Sequence, residues 1–488
     1  MAGLLAAAVL GATAEVSFAQ SQRELDEFLV TFTFGWGGDD MWPSNQTKAA
    51  QLAQEVAGAN FTTVLANYEP WKLELFRQHG LKFMINMYGD AAYDMGSNPS
   101  AALALAQTLT NDPDLWGYCI NWDLTGPSDT SAASTQIDQL HSADPNHPVV
   151  AGSKWYAWPY TSYLQNPDVL SFYYYIWTRD YKQNFSHLYY WRLKAQEKGV
   201  PLLRMMWVPS GITYEGHLAR DGYTLYTSLA YGVKGAHWFI GEYMINPDTL
   251  QWTVAGEAIK VLNANLSVLG PEVMDLTSMA VLSTPTTLCA KGRPKDPGEP
   301  DIPDGLSAIP ADHWMQVTAG EVVLGMFDDD TGDDIMMVVN HRAYDAQDVV
   351  LEFAEPLEWL KVFNQDTGAW EKQTVDIAGD RQAFGFLLGG GYGELMRAER
   401  VPGAPILGDA NRDGIVDAQD FTFLKAAYGQ PGAWGDGNFN CDDLIDGQDF
   451  SILKRQFGER ASAPGLPEPT ALISLLAGSL LLIRRRKK

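Results

Sequence analysis

Leu115-Trp-Gly-Tyr-Cys-Ile-Asn-Trp-Asp123 is an apolar run that ends in a tryptophan and an aspartate. Comparable runs recur along residues 28–269, and segments with helical periodicity separate most of them. Apolar strands that alternate with helices are typical of a parallel sheet buried on both faces. Eight such units predict an α/β fold, the (β/α)8 TIM barrel, for the domain 20–270. The predicted strands are 28–34, 61–66, 82–87, 115–121, 148–153, 169–175, 201–207 and 236–240.

An open, doubly wound sheet is the alternative arrangement of alternating strands and helices. Such a sheet commonly carries a glycine-rich phosphate loop, spaced Gly-x-Gly-x-x-Gly, after its first strand. Gly35-Trp-Gly-Gly38 follows the first predicted strand of this chain and lacks that spacing. The barrel is therefore the preferred prediction.

Residues 271–400 change to short strands with alternating polarity, after a loop at 291–310 that is rich in Pro, Gly and Asp. This pattern predicts an antiparallel β domain, a sandwich or a small barrel. We expect it to be structural rather than glycan-binding, because few tryptophans are available and two of them lie in strand-like or turn contexts. These tryptophans are Trp314, Trp359 and Trp370. The predicted strands are 278–282, 321–327, 335–340, 348–353, 359–364 and 384–388.

Aromatic and acidic residues follow most of the eight predicted barrel strands. The chemistry of a TIM barrel is located at the C-terminal ends of its strands. Flat aromatic rings stack on the C–H faces of sugars, and carboxyl groups act on the glycosidic oxygen. We therefore predict a carbohydrate cleft at this rim, although single aromatic residues often serve only to pack loops. The predicted substrate-binding residues are Trp36, Trp42, Trp71, Trp122, Trp155, Trp158, Trp177 and Trp207.

Glycoside hydrolysis needs two carboxyl groups that flank the scissile bond. Asp123, at the end of strand 4, is the predicted acid, because its neighbour Trp122 is apolar and favours the protonated carboxyl. Glu242, after strand 8, is the predicted base or nucleophile. Strands 4 and 8 face each other across a barrel, which favours the wider separation of an inverting enzyme. Asp90 and Asp180 are the reserve candidates.

Two stretches resemble bacterial glycoside-hydrolase-like barrels. Pro113-Asp-Leu-Trp-Gly-Tyr118, continuing to Asp123, resembles their strand-4 region, in which Gly-Tyr runs into an acidic pair followed by proline. Gly232-Val-Lys-Gly-Ala-His-Trp-Phe239 resembles their strand-8 segment. A β domain after the barrel is also typical of that family. The resemblance implies a secreted glycosidase that acts on an oligo- or polysaccharide.

The chain also departs from that family. The acidic pair is replaced by Trp122-Asp123, and Leu124 replaces the proline. Strand 7 ends in Met205-Met206-Trp207, where the commonest retaining barrels of the family carry a nucleophilic glutamate. The alternative therefore stays open that this is a degenerate barrel, which binds glycans or takes part in surface assembly without catalysis.

Residues 405–460 contain two loops with the ligand spacing of a calcium site. In Asp409-Ala-Asn-Arg-Asp-Gly-Ile-Val-Asp-Ala-Gln-Asp420, oxygen-bearing side chains stand at positions 1, 3, 5, 9 and 12. Gly414 stands at position 6 and Ile415 supplies a backbone carbonyl at position 7, as calcium loops require. The predicted ligands of the two loops are Asp409, Asn411, Asp413, Ile415, Asp417 and Asp420, and then Asn438, Asn440, Asp442, Leu444, Asp446 and Asp449.

These loops resemble type I dockerin repeats. Asp420 stands where an EF-hand has glutamate, and the apolar segment Phe421-Thr-Phe-Leu-Lys425 follows it. We expect the second loop to bind Ca²⁺ more weakly, because Asn438 replaces aspartate at position 1 and Asp443 replaces glycine at position 6. The resemblance implies a cohesin-like or cell-surface partner.

Both ends of the chain resemble targeting segments. Residues 1–19 resemble a secretory signal peptide that ends in Ser17-Phe-Ala19, although a basic n-region is missing. Residues 464–488 resemble a PEP-CTERM sorting signal, with Pro467-Glu-Pro469, an apolar run at 470–483 and a basic end. That run is shorter than the roughly 20 residues of a spanning helix, so we expect a transient anchor processed by an exosortase-type enzyme. A plain tail anchor is the alternative.

The localisation and partners follow from these segments and from the charge. We expect an exported protein of the cell envelope or the extracellular space, whose tail lies transiently in the inner membrane. The formal net charge of −26 disfavours nucleic acid as a partner. Three cysteines make no disulfide framework, and Cys119 lies inside a strand pattern that predicts burial.

Overall fold

The computed structural model of the chain describes the barrel, the β domain and the two loops that resemble calcium sites. The predicted signal peptide and the predicted sorting signal with its apolar run lie outside the described residues. Among the helices that are described, none is long and apolar enough to cross a membrane. The described residues are 25–36, 39–177, 183–289, 294–329, 333–379, 381–401, 406–442 and 444–460.

Eight parallel strands close into a barrel, and each overlaps one of the predicted apolar runs. They are β1 (Leu29–Thr33), β2 (Thr63–Ala66), β3 (Lys82–Asn86), β4 (Leu115–Leu124), β5 (Val149–Lys154), β6 (Val169–Tyr173), β7 (Leu202–Trp207) and β8 (Gly235–Phe239). Their order around the barrel is β1-β8-β7-β6-β5-β4-β3-β2, and β1 pairs with both β8 and β2. The predicted barrel is confirmed, and the open sheet is excluded.

Helices connect most of these strands and cover the barrel. The connection after β5 differs, because it is a 3₁₀ helix, Trp155–Tyr163, with Pro159 inside it. Side chains at the helix starts supply caps: Thr213 accepts a hydrogen bond from the backbone of Gly216, and Thr253 accepts one from Gly256. The α-helices are α1 (Gln46–Gly58), α2 (Pro70–Gln78), α3 (Pro99–Leu109), α4 (Pro127–Ala143), α5 (Asn184–Lys198), α6 (Tyr214–Ala230) and α7 (Val254–Met274).

The barrel interior is apolar at one end and polar at the other. Because side chains alternate along a strand, every second residue of each strand points inward. Near the N-terminal ends of the strands, the inward side chains form a closed apolar cluster. Two positions further along β3 and β4, the side chains are those of Asn86 and Asn121. The polar end is the C-terminal rim. The apolar cluster comprises Leu29, Leu65, Met84, Trp116, Cys119, Val150, Val169 and Leu203.

Eleven strands follow the barrel and form two sheets that enclose a second core. They are β9 (Thr277–Ser283), β10 (Ser307–Ala308), β11 (Met315–Ala319), β12 (Val322–Asp328), β13 (Asp334–Asn340), β14 (Gln347–Phe353), β15 (Leu357–Asn364), β16 (Ala369–Gln373), β17 (Asp376–Ala378), β18 (Arg381–Leu388) and β19 (Gly393–Arg400). The seven-stranded sheet has the order β10-β9-β12-β13-β19-β15-β16, and the four-stranded sheet has the order β11-β14-β18-β17. All of their pairings are antiparallel except that of β9 with β10.

The seven-stranded sheet is buried on both faces. On β12, Val322 and Leu324 belong to the core between the two sheets, whereas Val323 and Phe327 belong to the core shared with the barrel. Helix α6 lies directly on this second face, because a Cβ atom on Gly325 would be only 2.4 Å from the carbonyl oxygen of Ala230. The β domain is therefore packed closely onto the barrel.

The segment 406–460 contains two further helices, α8 (Ala418–Ala427) and α9 (Gly447–Gln456), and packs on the β domain. The Gln382 side-chain amide donates to the carbonyl oxygen of Phe439 at 2.8 Å. The thiol of Cys441 is buried in the sandwich core and donates to the carbonyl oxygen of Leu357 at 3.1 Å. Cys119, Cys289 and Cys441 are all free and buried, as the absence of a disulfide framework predicts.

The contact between α6 and the β domain can be tested at Gly391. Its φ is +71°, and a Cβ atom there would be 2.1 Å from the carbonyl oxygen of Ala219. Gly391→Ala should lower the free energy of unfolding by more than about 4 kcal/mol, because the helix cannot approach the sheet. Gly80→Ala is the matched control, since φ is +70° and nothing lies within 4 Å.

Gly80→Ala should lower the free energy of unfolding by only about 1–2 kcal/mol, which is the cost of alanine in a left-handed conformation. Urea unfolding of the two variants measures both values. Equal losses would contradict the close approach.

Candidate active site and candidate calcium loops

Asp123 lies at the polar rim, near the end of β4, and its carboxylate has two partners there. The Tyr173 hydroxyl donates to Oδ1 at 2.7 Å, and the Lys154 ammonium lies 3.8 Å from Oδ2. The carboxylate is 45% exposed, and its backbone N–H donates to Oδ1 of Asn121 at 2.6 Å. The carboxylate therefore lies between a phenol hydroxyl and an ammonium group. This setting differs from the apolar one expected from Trp122, whose side chain lies outside the described structure.

A continuous row of aromatic rings, which we call the aromatic wall, follows the ends of β5, β6 and β7. Its members are Trp155, Tyr173, Tyr175 and Trp207. The ring centroids of Trp155 and Tyr173 are 5.8 Å apart, those of Tyr173 and Tyr175 are 5.1 Å apart, and those of Tyr175 and Trp207 are 5.8 Å apart. Asp123 is therefore hydrogen-bonded to the middle of an aromatic surface.

The two tyrosines of the wall were not among the predicted site residues. Tyr173 and Tyr175 point into the barrel, whereas Tyr174 between them is buried on the outer face, where its ring centroid is 4.6 Å from that of His187. The period-2 alternation of a strand was the signal that could have identified them.

Trp207 contributes a polar group, its indole N–H, to the aromatic wall. Its Nε1 is buried and has no hydrogen-bond partner within the described part of the chain. Buried indole N–H groups normally find an acceptor. This N–H can donate to a group that enters the cleft.

Glu242 follows β8 on the opposite side of the rim. Its Oε2 accepts a long hydrogen bond, 3.3 Å, from the backbone N–H of Gly35. Ile240, two residues before Glu242, is buried and has φ +71° and ψ +68°, a left-handed backbone that β-branched residues rarely adopt. Strained backbone of this kind clusters at functional sites. β4 and β8 are four strands apart in the closed order, so Asp123 and Glu242 lie across the barrel mouth from each other.

Asp90 and Tyr88 follow β3, the neighbour of β4, and so belong to the Asp123 side of the rim. Asp90 is buried; its Oδ1 accepts from the backbone N–H of Ala92 at 2.8 Å, and Oδ2 has no partner among the described residues. Burial raises the pKa of Tyr88, and the negative charge of Asp123 raises it further, which places the phenol near that carboxylate. Asp180 lies outside the described residues.

His237 lies beneath the rim, inside the barrel. Its Nε2 is 2.5 Å from the hydroxyl oxygen of Thr33. Burial lowers the pKa of His237 to about 3, so the imidazole is neutral at physiological pH. It therefore acts as a neutral hydrogen-bonding group rather than as a cation.

The structure places the predicted tryptophans in different environments. Trp42 lies in the core: only 6% of it is exposed, and its ring packs on Phe32, Phe34 and Phe76. Trp155 and Trp207 belong to the aromatic wall. The side chains of Trp36 and Trp122 lie outside the description.

Three other tryptophans pack against neighbouring elements. Trp158 stacks on Tyr190 of α5, with ring centroids 4.0 Å apart. The indole N–H of Trp177 donates to the carbonyl oxygen of Arg220 at 3.1 Å, so this ring covers α6. The indole of Trp71 donates to Glu69 at 2.7 Å. None of these contacts joins them to the aromatic wall.

The two loops predicted to bind calcium share one backbone plan. Position 4 is left-handed in both, with φ +61° at Arg412 and +60° at Cys441. Position 9 of each loop caps the following helix, and position 12 completes a capping box. The two segments are therefore structural repeats of each other.

Several side-chain oxygens of these loops accept hydrogen bonds from backbone N–H groups. The carboxylate of Asp409 accepts from the N–H groups of Asp413 and Gly414 at 3.1 and 2.8 Å. The Oδ1 atom of Asn438, at position 1 of the second loop, is buried and lacks a partner among the described residues. Within the same residues, no group of three or more His, Cys, Asp or Glu side chains is placed to hold a metal ion. The donor types and the loop fold suit Ca²⁺, whereas the carboxylates do not converge.

Comparison with known proteins gives similarity at the level of solved structures only. No family model matches the chain, and no curated protein matches it. A β-galactosidase from the psychrophilic Marinomonas ef1 has a TM-score of 0.40 at 10% identity, over 52% of this chain and 62% of that chain. A β-L-arabinopyranosidase from Geobacillus stearothermophilus has a TM-score of 0.44 at 10% identity, over 79% and 99%. A β-mannanase from Alicyclobacillus acidocaldarius has a TM-score of 0.37 at 13% identity, over 51% and 99%.

The chain thus spans less than two thirds of the length of the β-galactosidase. Likeness of this degree carries no argument about activity, which has to be argued from the site itself.

The buried His237 predicts a pH dependence of stability. Its pKa is about 3 in the folded chain, below the ordinary 6.5, so the unfolded chain binds more protons between these values. The stabilising contribution is therefore complete above pH 6.5 and is lost as pH falls, at up to about 1.4 kcal/mol per pH unit. His237→Asn should lose less stability than the wild type between pH 7.5 and pH 5.5 in urea unfolding. The same slope in both proteins would contradict the assignment.

Proposed function

We propose that this protein is a secreted glycoside hydrolase that cleaves an oligo- or polysaccharide at the C-terminal rim of its barrel. The observation that carries the proposal is Asp123 hydrogen-bonded to Tyr173 at the centre of the aromatic wall. Aromatic faces bind the C–H faces of sugar rings, and a carboxylate placed among them can act at the anomeric carbon.

The contacts of Asp123 support an exchange of the roles expected from the sequence. The Tyr173 hydroxyl donates to one oxygen of Asp123 and the Lys154 ammonium lies beside the other, so both oxygens face donors, as suits a base that accepts a proton from water. Within the described residues Glu242 accepts one long hydrogen bond, from the backbone N–H of Gly35, and we assign it the role of the acid on the facing side of the rim. Asp123 then takes a proton from the attacking water while Glu242 protonates the leaving oxygen.

The position of the two carboxyl groups favours inversion over retention. They stand on strands that face each other across the barrel mouth. An inverting mechanism needs room for a water molecule between the sugar and the base, and so uses widely separated carboxyl groups. The neutral imidazole of His237 lies below the rim and would not compete for the proton.

A non-catalytic glycan-binding protein is the second candidate. The observation that favours it is the end of β7, where Met205 accepts a weak hydrogen bond from the Tyr175 hydroxyl at 3.7 Å and no acid is present. In this case the aromatic wall binds a saccharide that the rim leaves intact. Loss of binding without any turnover would be the result that identifies this role.

We further propose that the loops of 406–460 bind Ca²⁺ and that the protein is exported. The buried, unpaired Oδ1 of Asn438 supports an electropositive occupant of the second loop, and the shared backbone plan supports the same role for the first. Asp409, Asn411, Asp413, Asp417 and Asp420 would hold the first ion, with the carbonyl of Ile415. A cohesin-like or cell-surface partner and an exosortase-type processing enzyme follow from the dockerin and PEP-CTERM resemblances.

Substitution of the carboxyl pair tests the catalytic proposal. Loss of one acid or base group costs about 10²–10⁴-fold in turnover. Asp123→Asn and Glu242→Gln should each reduce kcat on a cleaved polysaccharide by this factor and leave KM nearly unchanged. Asp90→Asn is the comparison, because Asp90 is the reserve candidate.

Trp207→Ala should instead raise KM, because stacking acts already in the bound substrate. Full activity of Asp123→Asn together with an inactive Asp90→Asn would transfer the role to Asp90. Release of the α or β anomer, followed by NMR, decides between inversion and retention.

Calcium binding can be measured on the full chain by isothermal titration. Asp409→Ala should remove the tighter site, because it deletes a charged ligand at position 1. Asn438→Ala should affect only the weaker site. Magnesium is the control, since it prefers a rigid octahedral shell. An absence of heat at millimolar Ca²⁺, with no shift in thermal unfolding, would reject the proposal.

A further inference from the structure

A cleft of about 450 Å³ opens between the two sheets of the β domain, at a distance from the barrel rim in the fold. One side is formed by β15, β16 and β19 of the seven-stranded sheet, and the other by β18 of the four-stranded sheet. Its main lining residues are Asn364, Asp366, Glu371, Phe384, Phe386 and Glu394. The sandwich core is therefore not closed at this end.

The inner face of the seven-stranded sheet becomes polar where the cleft begins. Val362 of β15 pairs with Met396 of β19, and both line the inner end of the cleft. The next inward positions on the same two strands are Asn364 and Glu394, two residues away in each case. A sandwich with only a structural role keeps apolar residues at such positions. The change on two neighbouring strands at one level indicates a surface that meets a ligand.

Two phenylalanines face this polar surface across the cleft. Phe384 and Phe386 point the same way along β18; their ring centroids are 5.4 Å apart and their planes differ by 21°. Both rings are half-buried, so they form an accessible apolar platform. Nearly parallel, partly exposed rings of this kind offer an apolar surface against which a sugar ring can pack.

The polar side of the cleft is held in place by hydrogen bonds. The Asn364 amide donates to Oε1 of Glu371 at 2.7 Å. The Gln365 amide donates to the carbonyl oxygen of Gly393 at 2.7 Å, and its Oε1 accepts from the Tyr226 hydroxyl of α6. These groups are therefore positioned by the barrel as well as by the sandwich.

Glu394 is an unusual residue for such a position. It is half-buried and has no ion-pair partner within the described chain. Burial raises the pKa of Glu394 to about 7, with a further contribution from the negative charge of Asp366. Near neutral pH this carboxyl group can therefore both donate and accept hydrogen bonds, as hydroxyl groups require.

We propose that this cleft is a second saccharide-binding site, which holds a neutral sugar unit between the Phe384–Phe386 platform and the amide and carboxyl groups opposite. Among the described residues, no lysine or arginine lines the cleft, and Asp366, Glu371 and Glu394 make it acidic. Anionic ligands such as uronic acids are therefore disfavoured. The site goes beyond the activity at the barrel rim and does not depend on it.

The tryptophans considered from the sequence are not part of this site. Trp314 stacks on Phe353 with ring centroids 6.0 Å apart, and the Trp359 indole donates to Glu399 at 2.6 Å. The Trp370 indole donates to Glu272 of α7 at 2.8 Å. The aromatic platform is instead built from phenylalanine, and the proposed site departs from the expectation that the β domain is only structural.

The test is affinity electrophoresis of the full chain through gels that contain galactomannan, xyloglucan or mixed-linkage β-glucan, with polygalacturonate as the anionic comparison. We expect at least one neutral polysaccharide, and not polygalacturonate, to retard the wild type. Phe386→Ala and the double variant Asn364→Ala, Glu371→Gln should each weaken this retention by at least tenfold. Trp359→Ala is the matched control, because it removes an aromatic ring from β15 outside the cleft.

Circular dichroism checks that each variant is folded, and the double variant changes only polar groups at the surface of the cleft. The proposal is overturned if no neutral polysaccharide retards the wild type or if the cleft variants migrate like Trp359→Ala. It is also overturned if the cleft variants alter Ca²⁺ binding but not retention. Retardation that depends on the cleft, without any hydrolysis, supports this site and removes the glycosidase assignment. Failure of the cleft proposal can therefore be told apart from failure of the glycosidase proposal.

Discussion

The close approach of α6 to the seven-stranded sheet is the contact on which both candidate sites depend. A helix can approach a sheet this closely only where side chains are missing, and Gly325 and Gly391 supply those places opposite Ala230 and Ala219. At one end, α6 leads into β8 and the strained turn that holds Glu242. Midway along, the Tyr226 hydroxyl reaches Gln365 beside the cleft of the β domain. One helix of the barrel therefore contacts elements of both sites.

Charge is distributed over the two sites in opposite ways. At the barrel rim, the carboxylate of Asp123 has a cation and a phenol hydroxyl beside it. In the sandwich cleft, Glu394 is surrounded by apolar atoms and other acids, so it holds its proton up to neutral pH. The first environment suits a group that takes a proton, and the second suits a group that exchanges hydrogen bonds with hydroxyls. Two carboxyl groups of one chain are therefore adapted to different work by their neighbours alone.

The strand and helix order could be predicted from the sequence, because apolar periodicity reports burial directly. All eight barrel strands overlap the predicted runs. The direction of single aromatic side chains could not be predicted, since Trp42 and Trp207 were both assigned to the rim and only Trp207 belongs to the aromatic wall. The tyrosines of the aromatic wall were missed because only tryptophans and acids at the strand ends were considered as site residues. Phe384 and Phe386 alternate like core residues, so nothing in their spacing reveals that the opposite sheet has turned polar.

The position of Cys441 has a consequence for how this chain could have been assembled in evolution. The segment 406–460, whose two loops resemble calcium sites, shares buried surface with the β domain. Here the fourth residue of the second loop is buried in the core of the neighbouring sandwich, and the backbone of Asn440 accepts a hydrogen bond from Val375 at 3.0 Å. Removing the segment 406–460 would leave a cavity in the β domain. Fusing the segment to another domain would expose the surface that it now buries against the β domain. We therefore expect the segment 406–460 and the β domain to be inherited together. Substitutions on one side of their contact should be compensated by substitutions on the other side.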